Sequence, residues 1–162
     1  MTDQVFGKLK RIESGWLGKR TVDFGGKACA VEVLIQGDED CEISDDQREA
    51  FECFMEKWPD SQTELIEELI RYYNEEERFS YGPEDEEEEE EWWPEIETKE
   101  ALLEAVTLET IVVAEDFQME DGRRIYLLFS RAWGGEDLDD NGIGVSYLDE
   151  EIEEIGYKDI AF

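Results

Sequence analysis

Hydrophobic and polar residues alternate in three stretches near the start of the chain, a pattern that predicts β-strands. The stretches are VFGKLKRIE (residues 5–13), WLGKRTVDF (16–24) and KACAVEVLIQ (27–36). Ser14-Gly15 and Gly25-Gly26 separate them, and such short turns favour hairpins between successive strands. We therefore predict an antiparallel meander over residues 5–36.

The period of the pattern changes to that of a helix after residue 43. Ser44 and Gln47 have the spacing of a capping box, and apolar residues follow it at helical intervals. Trp58-Pro59 ends this stretch, and Ser61 begins a second capping box. The apolar residues of the two stretches are Ala50, Phe51, Phe54, Met55 and Trp58, then Leu65, Ile66, Leu69, Ile70 and Tyr73. The pattern predicts two amphipathic helices, separated at the proline, that face the core.

Alternating patterns return in the last third of the chain. They span LETIVVAEDF (108–117), RRIYLLFS (123–130), IGVSYL (143–148) and EIEEIGY (151–157). Asp121-Gly122 predicts a hairpin between the first two, and Thr98 is placed to cap a short helix that ends at Val106. We predict one α+β domain over residues 1–162, in which antiparallel strands at both ends of the chain pack with two central helices.

Residues 75–97 interrupt these patterns. Between positions 75 and 95 the chain has twelve acids and the single base Arg78, a net charge of -11. Because such a block repels itself, we predict an acidic mobile loop inside the domain. The loop contains a run of acids followed by two tryptophans: Glu84, Asp85, Glu86, Glu87, Glu88, Glu89, Glu90, Glu91, Trp92 and Trp93.

The whole chain is strongly acidic, with 47 acids, 15 bases, no histidine and a formal net charge of -32. Apolar residues make up 40 %, and the 13 glycines bring the fraction to 48 %, as in ordinary folded proteins. A surface this negative repels phosphates, which excludes direct binding to nucleic acid or to an anionic membrane. It favours a basic protein partner or cations, and halophilic adaptation is an alternative origin of the charge.

Motifs for catalysis, cofactors and secretion are missing from the sequence. Cys29, Cys41 and Cys53 lack C-x-x-C spacing, which argues against a zinc site or a disulfide framework. Without histidine, Ser-His-Asp and Cys-His arrangements are absent, and neither glycine-rich nucleotide motif is present. The N-terminus has no apolar signal core. We therefore expect a cytoplasmic protein with no cofactor and no catalytic residue.

The stretch DLDDNG, residues 137–142, resembles the start of a calcium-binding loop. Asp137, Asp139, Asn141 and Gly142 match positions 1, 3, 5 and 6 of an EF-hand, but Leu148 stands where a bidentate glutamate is needed. The flanking patterns are those of strands, and a turn rich in Asp, Asn and Gly explains the stretch. Asp137, Asp139 and Asn141 are kept as candidate ligands for weak cation binding.

Five stretches carry a recognisable combination of motifs: VFGKLKR, GWLGKRTVDFGGKACAVEVLI, ISDDQREAFECFMEKW, IRYYNEE and LLFSRAWGGEDLDDNGIGVSYLDEEIEEIGYKDIAF. They resemble a bacterial family of small acidic single-domain proteins of unknown function. Many relatives have an acid-histidine-glycine turn where this chain has Asp140-Asn141-Gly142, and the missing histidine weakens a catalytic or metal function for that turn. In size and style, such proteins are similar to immunity proteins that neutralise a cognate toxin.

These observations lead to a functional hypothesis. We expect a binding protein that captures and inhibits a basic partner, most concretely the nuclease domain of a bacterial toxin. The expected contacts are Glu84–Glu91, Trp92-Trp93 and the turn residues Asp137, Asp139 and Asp140. Two alternatives stay open: a cation-binding or enzymatic domain that uses residues 137–142, and a generic acidic chaperone-like protein. The sequence does not specify the oligomeric state.

Overall fold

The computed structural model describes residues 2–37, 42–77, 96–115, 119–131 and 142–156. Within these ranges it contains eight strands, two α-helices and a π-helical turn. The strands are β1 (Thr2–Asp3), β2 (Gly7–Ile12), β3 (Gly15–Phe24), β4 (Lys27–Gln36), β5 (Val106–Val113), β6 (Arg124–Arg131), β7 (Ile143–Leu148) and β8 (Glu151–Gly156). The helices are α1 (Asp45–Tyr72), which continues into the π-helical turn Tyr73–Glu77, and α2 (Lys99–Ala105).

All eight strands belong to one mixed sheet, and their order in the sheet is their order in the chain. Neighbouring strands are antiparallel except β4 and β5, which pair in parallel from Glu32 opposite Thr110 to Ile35 opposite Val113. A parallel pair needs a long crossover, and the segment that contains α1 and α2 supplies it. The sheet is therefore two antiparallel meanders, β1–β4 and β5–β8, joined side by side at its centre.

The predicted architecture of two central helices packed with strands at both ends is wrong. The protein is dominated by a single sheet, with one long helix and one short helix. The seven predicted strands correspond to β2–β8, although β5 ends at Val113 and β1 was not predicted. The first meander and the short helix capped by Thr98 are confirmed, and Thr98 Oγ1 accepts a hydrogen bond from the amide of Ala101 at 3.2 Å. Local periodicity identifies strands, but it carries no information about which distant strands pair.

The predicted break between two helices at Pro59 is also wrong, because α1 runs through it. The first capping box is confirmed: Ser44 Oγ accepts from the amide of Gln47, and the Gln47 side chain accepts from the amide of Ser44, both at 3.1 Å. Ser61 does not cap a helix; it is buried and donates to the carbonyl of Trp58. A proline inside a helix costs about 3 kcal/mol, and burial of the same apolar face on both sides of it offsets that penalty.

The main core lies between α1 and one face of the sheet. Aromatic rings from both layers interlock there: Phe24 stacks on Trp58 with centroids 5.9 Å apart, and Phe54 meets Tyr147 edge-on at 5.1 Å. The other face of the sheet carries a smaller buried cluster of Leu34, Val112, Ala114, Tyr126 and Leu128. The long helix is therefore fixed along one side of the sheet.

Side-chain hydrogen bonds fix the two halves of α1 at separate places on the sheet. Near the start of α1, the side-chain nitrogen Nε2 of Gln47 donates to the backbone carbonyls of Gln36 and Ala114, at 2.8 and 3.1 Å. These carbonyls lie where the parallel strands β4 and β5 end, so the side chain fills the edge at which α/β proteins often bind ligands. The helix thus presents its opposite face outward.

The second half of α1 holds the β3–β4 turn. Trp58 Nε1 and Gln62 Nε2 both donate to the carbonyl of Asp23, at 2.7 and 3.0 Å. Gln62 Oε1 accepts from the amide of Gly25 at 2.8 Å.

Within the part of the chain described, no helix is both long and apolar enough to cross a membrane.

Candidate functional site

The outward face of α1 carries a continuous row of carboxylates. Its members recur at intervals of three or four residues, which places them on one side of the helix. All are exposed, and together they span 22 residue steps, or about 33 Å at the helical rise. We call this row the acidic stripe; it consists of Asp45, Glu49, Glu52, Glu56, Asp60, Glu64 and Glu67.

Basic residues on α1 offset the stripe only in part, since the helix has nine acids and three bases. Arg48 is bound through Nη2 to the buried carboxylate of Asp3 at 2.8 Å and through Nη1 to Asp45 at 3.1 Å. Arg71 pairs with Glu68 and Glu75 in the last turn. Both guanidinium groups thus serve intramolecular pairs, and most of the stripe keeps its charge for a partner.

A second acidic group lies at the β7–β8 edge of the sheet. Asp149 and Glu150 form the turn with φ values of 49° and 66°, a left-handed conformation that favours glycine. Arg123 holds the turn: its Nε and Nη2 donate to the two carboxylate oxygens of Glu150, each at 2.9 Å, and its amide donates to Asp149 Oδ1 at 3.0 Å. The hydrogen bonds that Arg123 donates to Glu150 are the main reason that the pKa of Arg123 is raised. The bidentate ion pair stabilises a backbone conformation that costs energy.

A small cleft joins this turn to the start of the acidic stripe. Its volume is about 210 Å³, and Asp46, Glu49, Arg123 and Asp149 contribute to its lining. Cys53 lies on the same helix, and burial is the main cause that raises the pKa of its thiol. A thiol with a raised pKa is protonated at neutral pH and is a poor nucleophile. The cleft therefore continues the acidic surface and offers no activated cysteine.

The opposite end of the sheet has the opposite charge. Residues 2–37, which include β1–β4, contain six bases and four acids, a net charge of +2, so the rest of the chain carries -34. Lys8 and Lys10 flank the buried Leu9 and are exposed on the face away from α1. Lys19 is exposed beside Arg20, whose guanidinium lies 4.9 Å from the Phe51 ring of α1. Among the described residues, charge is therefore segregated between residues 2–37, at +2, and the remaining elements, at -18.

The residues predicted from the sequence as contacts all lie outside the described part of the structure. These residues are 84–93, 137, 139 and 140, together with the candidate ligand Asn141. Their roles stay predictions. In the residues that are described, no group of three or more Cys, Asp or Glu side chains is arranged to hold a metal ion.

The acidic stripe was not predicted from the sequence, because only the apolar positions of this segment were used to predict its helices. The spacing of the acids indicates the stripe. Acids at intervals of three or four residues from Asp45 to Glu67 follow the same helical period as the apolar positions.

Comparison with known proteins identifies the family. Residues 5–162 match the sequence model of a family described as a domain of unknown function, DUF6985. The chain belongs to this family. No curated protein matches the chain, and no solved structure does so either. The family assignment agrees with the resemblance to a family of unknown function and supplies no activity, partner or site.

Proposed function

We propose that this protein is an acidic binding protein that captures and inhibits a basic protein, as a bacterial immunity protein does with a cognate toxin. The nuclease domain of a toxin is the partner that fits best, because nuclease domains present Lys and Arg side chains to phosphates. A protein that covers those side chains with carboxylates excludes the nucleic acid substrate.

The observation that carries this proposal is the segregation of charge. Among the described residues, those outside 2–37 carry a net charge of -18, and α1 displays seven exposed carboxylates in one row. Like charges at helical spacing destabilise a helix, so this arrangement is unfavourable for folding by itself. A basic partner that binds to the row would offset the repulsion between these carboxylates by forming ion pairs with them.

The stripe would act mainly on the rate and specificity of capture. Complementary charges raise association rates to about 10⁸–10⁹ M⁻¹s⁻¹ at low salt. Exposed ion pairs add little affinity, and salt screens them beyond about 8 Å at physiological ionic strength. Tight binding therefore requires a desolvated apolar contact as well, and Trp92 or Trp93 is the aromatic residue that we propose for it.

The predicted contacts at 84–93 and at Asp137, Asp139 and Asp140 are part of this proposal. The run Glu84–Glu91 carries eight acids, so the segments outside it still hold a net charge of -24. We infer that the run strengthens attraction to the partner and that α1 attracts it independently. Replacement of the run by a Gly/Ser linker should weaken binding without abolishing it.

The test is capture from a native lysate of the source cells on the immobilised protein, with elution along a salt gradient. The expected result is one basic protein, bound in stoichiometric amount at about 150 mM salt, whose nuclease activity falls when the acidic protein is added. A Trp92→Ser/Trp93→Ser variant should release this partner at lower salt. A diffuse set of basic proteins that all elute at modest salt would contradict inhibition of a specific partner.

A further inference from the structure

A groove of about 430 Å³ runs beside the second half of α1. One wall is an uncharged row on the helix, again at intervals of three or four residues: Pro59, Thr63, Ile66 and Ile70. The β3–β4 turn, with Gly25 and Gly26, forms the other side. Pockets of this volume accommodate whole side chains or small ligands.

The groove lies directly against the acidic stripe. Asp60, Glu64 and Glu67 each follow a member of the uncharged row in sequence, so the two rows are adjacent on the helix surface. Glu67 and Glu97 reach the rim, as does the single base Lys99. An apolar floor is thereby bordered by carboxylates.

The shape of the groove is set by contacts within the protein. Gln62 holds the β3–β4 turn through the amide of Gly25 and the carbonyl of Asp23, as described above. Gly25 also lies so close to Leu103 of α2 that a side chain at position 25 would overlap it, whereas the space at Gly26 is open. The groove is therefore preformed and bounded by fixed elements.

We propose that this groove receives an apolar side chain of the basic partner, carried on a segment with Lys or Arg on either side of it. The inference rests on the proposed function and adds a second apolar contact to the one proposed for Trp92 or Trp93. Charge complementarity selects the occupant, since the carboxylates beside the floor favour a cationic segment over a neutral or acidic one. Burial of one apolar side chain supplies affinity that salt does not screen.

Two synthetic peptides of equal length and charge test the proposal, one made of Lys-Lys-Leu repeats and the other of Lys-Lys-Ser repeats. Fluorescence anisotropy gives their dissociation constants for the full chain at about 150 mM salt. Burial of one leucine should make the leucine peptide bind about tenfold more tightly. A Thr63→Trp variant, which fills the groove from an exposed helical position, should reduce this preference to about twofold or less.

A Glu52→Gln variant is the matched control, because Glu52 belongs to the acidic stripe and does not line the groove. It should raise the dissociation constants of both peptides by the same factor. Equal binding of the two peptides, or a leucine preference that survives in Thr63→Trp, would overturn the groove proposal. Neither result would contradict the proposed role of the acidic stripe. Failure of both peptides to bind would contradict the groove and the proposed function together. Thermal unfolding of each variant confirms that it is folded.

Discussion

The ion pair between Asp3 and Arg48 connects the first strand to the long helix. Arg48 Nε and Nη2 donate to Asp3 Oδ2 at 3.0 and 2.8 Å, and the amides of Val5 and Phe6 donate to Asp3 Oδ1. Burial alone would raise the pKa of Asp3, but these hydrogen bonds outweigh it and lower the pKa. The folded state therefore stabilises the ionised carboxylate.

Replacement of this carboxylate should destabilise the protein in a pH-dependent way. Asp3→Asn should lower the free energy of unfolding by about 1.5–3 kcal/mol at neutral pH, because a hydrogen-bonded buried charge is lost. Since the folded pKa lies below the unfolded value of about 3.9, the contribution is complete above that value and disappears as pH falls through the folded pKa. Urea unfolding between neutral and acidic pH measures this.

Asp45→Asn is the control for that experiment. Asp45 also accepts a hydrogen bond from Arg48, but its side chain is 98 % exposed in the first turn of α1, so its replacement should cost about 1 kcal/mol or less at neutral pH, less than Asp3→Asn. Equal losses in the two variants, or a loss in Asp3→Asn that persists at the lowest pH, would contradict this account of the ion pair.

Tyr147 has a buried hydroxyl with no hydrogen-bond partner among the residues described here. The side chain is 1 % exposed, and burial raises its pKa above the ordinary range. Because an unpaired buried hydroxyl is unfavourable, Tyr147→Phe should keep or increase the free energy of unfolding, by up to about 1 kcal/mol. Tyr126→Phe, which removes a hydroxyl hydrogen-bonded with Arg124, should instead lower it by about 1 kcal/mol. Chemical denaturation distinguishes the two, and a clear loss in Tyr147→Phe would show a partner for the hydroxyl.

At the scale of elements, the strands were more predictable than the helices. β4 and β7 have the predicted limits, because alternation and flanking turns are local signals. The single helix from Asp45 to Tyr72 was not predictable in this way, since Pro59 and the spacing of Ser61 with Glu64 both indicate a helix boundary locally. Packing of one apolar face along the whole sheet overrides those signals, and a sequence window does not contain that information.

Pro59 therefore provides a direct test of the continuous helix. Pro59→Ala should increase the free energy of unfolding by about 2 kcal/mol, because the helical penalty of proline exceeds its effect on the unfolded chain. Glu56→Ala, an exposed change one turn earlier that relieves like-charge repulsion, should raise the free energy of unfolding by only about 0.5 kcal/mol. Urea denaturation followed by circular dichroism gives both values. A destabilised Pro59→Ala would indicate that proline marks a true boundary between two helices.

At the scale of the whole molecule, the sequence revealed the net charge but not its distribution. The basic strands β1–β4 and the acidic helix pack against each other, and their charges are separated because Lys8 and Lys10 face away from α1. The predicted contact residues were selected as the densest acidic runs, and they lie outside the described residues. The acidic stripe was harder to recognise, because its acids alternate with core residues.

Self-repulsion along the stripe should be measurable as a dependence of stability on salt. Glu49→Gln/Glu52→Gln/Glu56→Gln removes like-charge neighbours and should raise Tm by about 3 °C at low ionic strength. The difference should vanish near 1 M salt, where the screening length is about 3 Å. Differential scanning calorimetry at the two salt concentrations tests this. A difference in Tm that does not change with salt would contradict self-repulsion as its cause and would indicate a difference in helix propensity between Glu and Gln.

The central claim is that the acidic face of α1 captures a basic protein, and capture with two charge-matched variants tests it most directly. One variant is Glu49→Gln/Glu52→Gln/Glu56→Gln, and the other, Glu13→Gln/Glu32→Gln/Glu104→Gln, removes the same charge from exposed positions elsewhere. The measured quantity is the association rate constant with the captured partner at low salt, where the stripe acts. We predict that the wild type and the second variant associate at similar rates and that the stripe variant associates about tenfold more slowly. Equal association rates for all three proteins would contradict the claim.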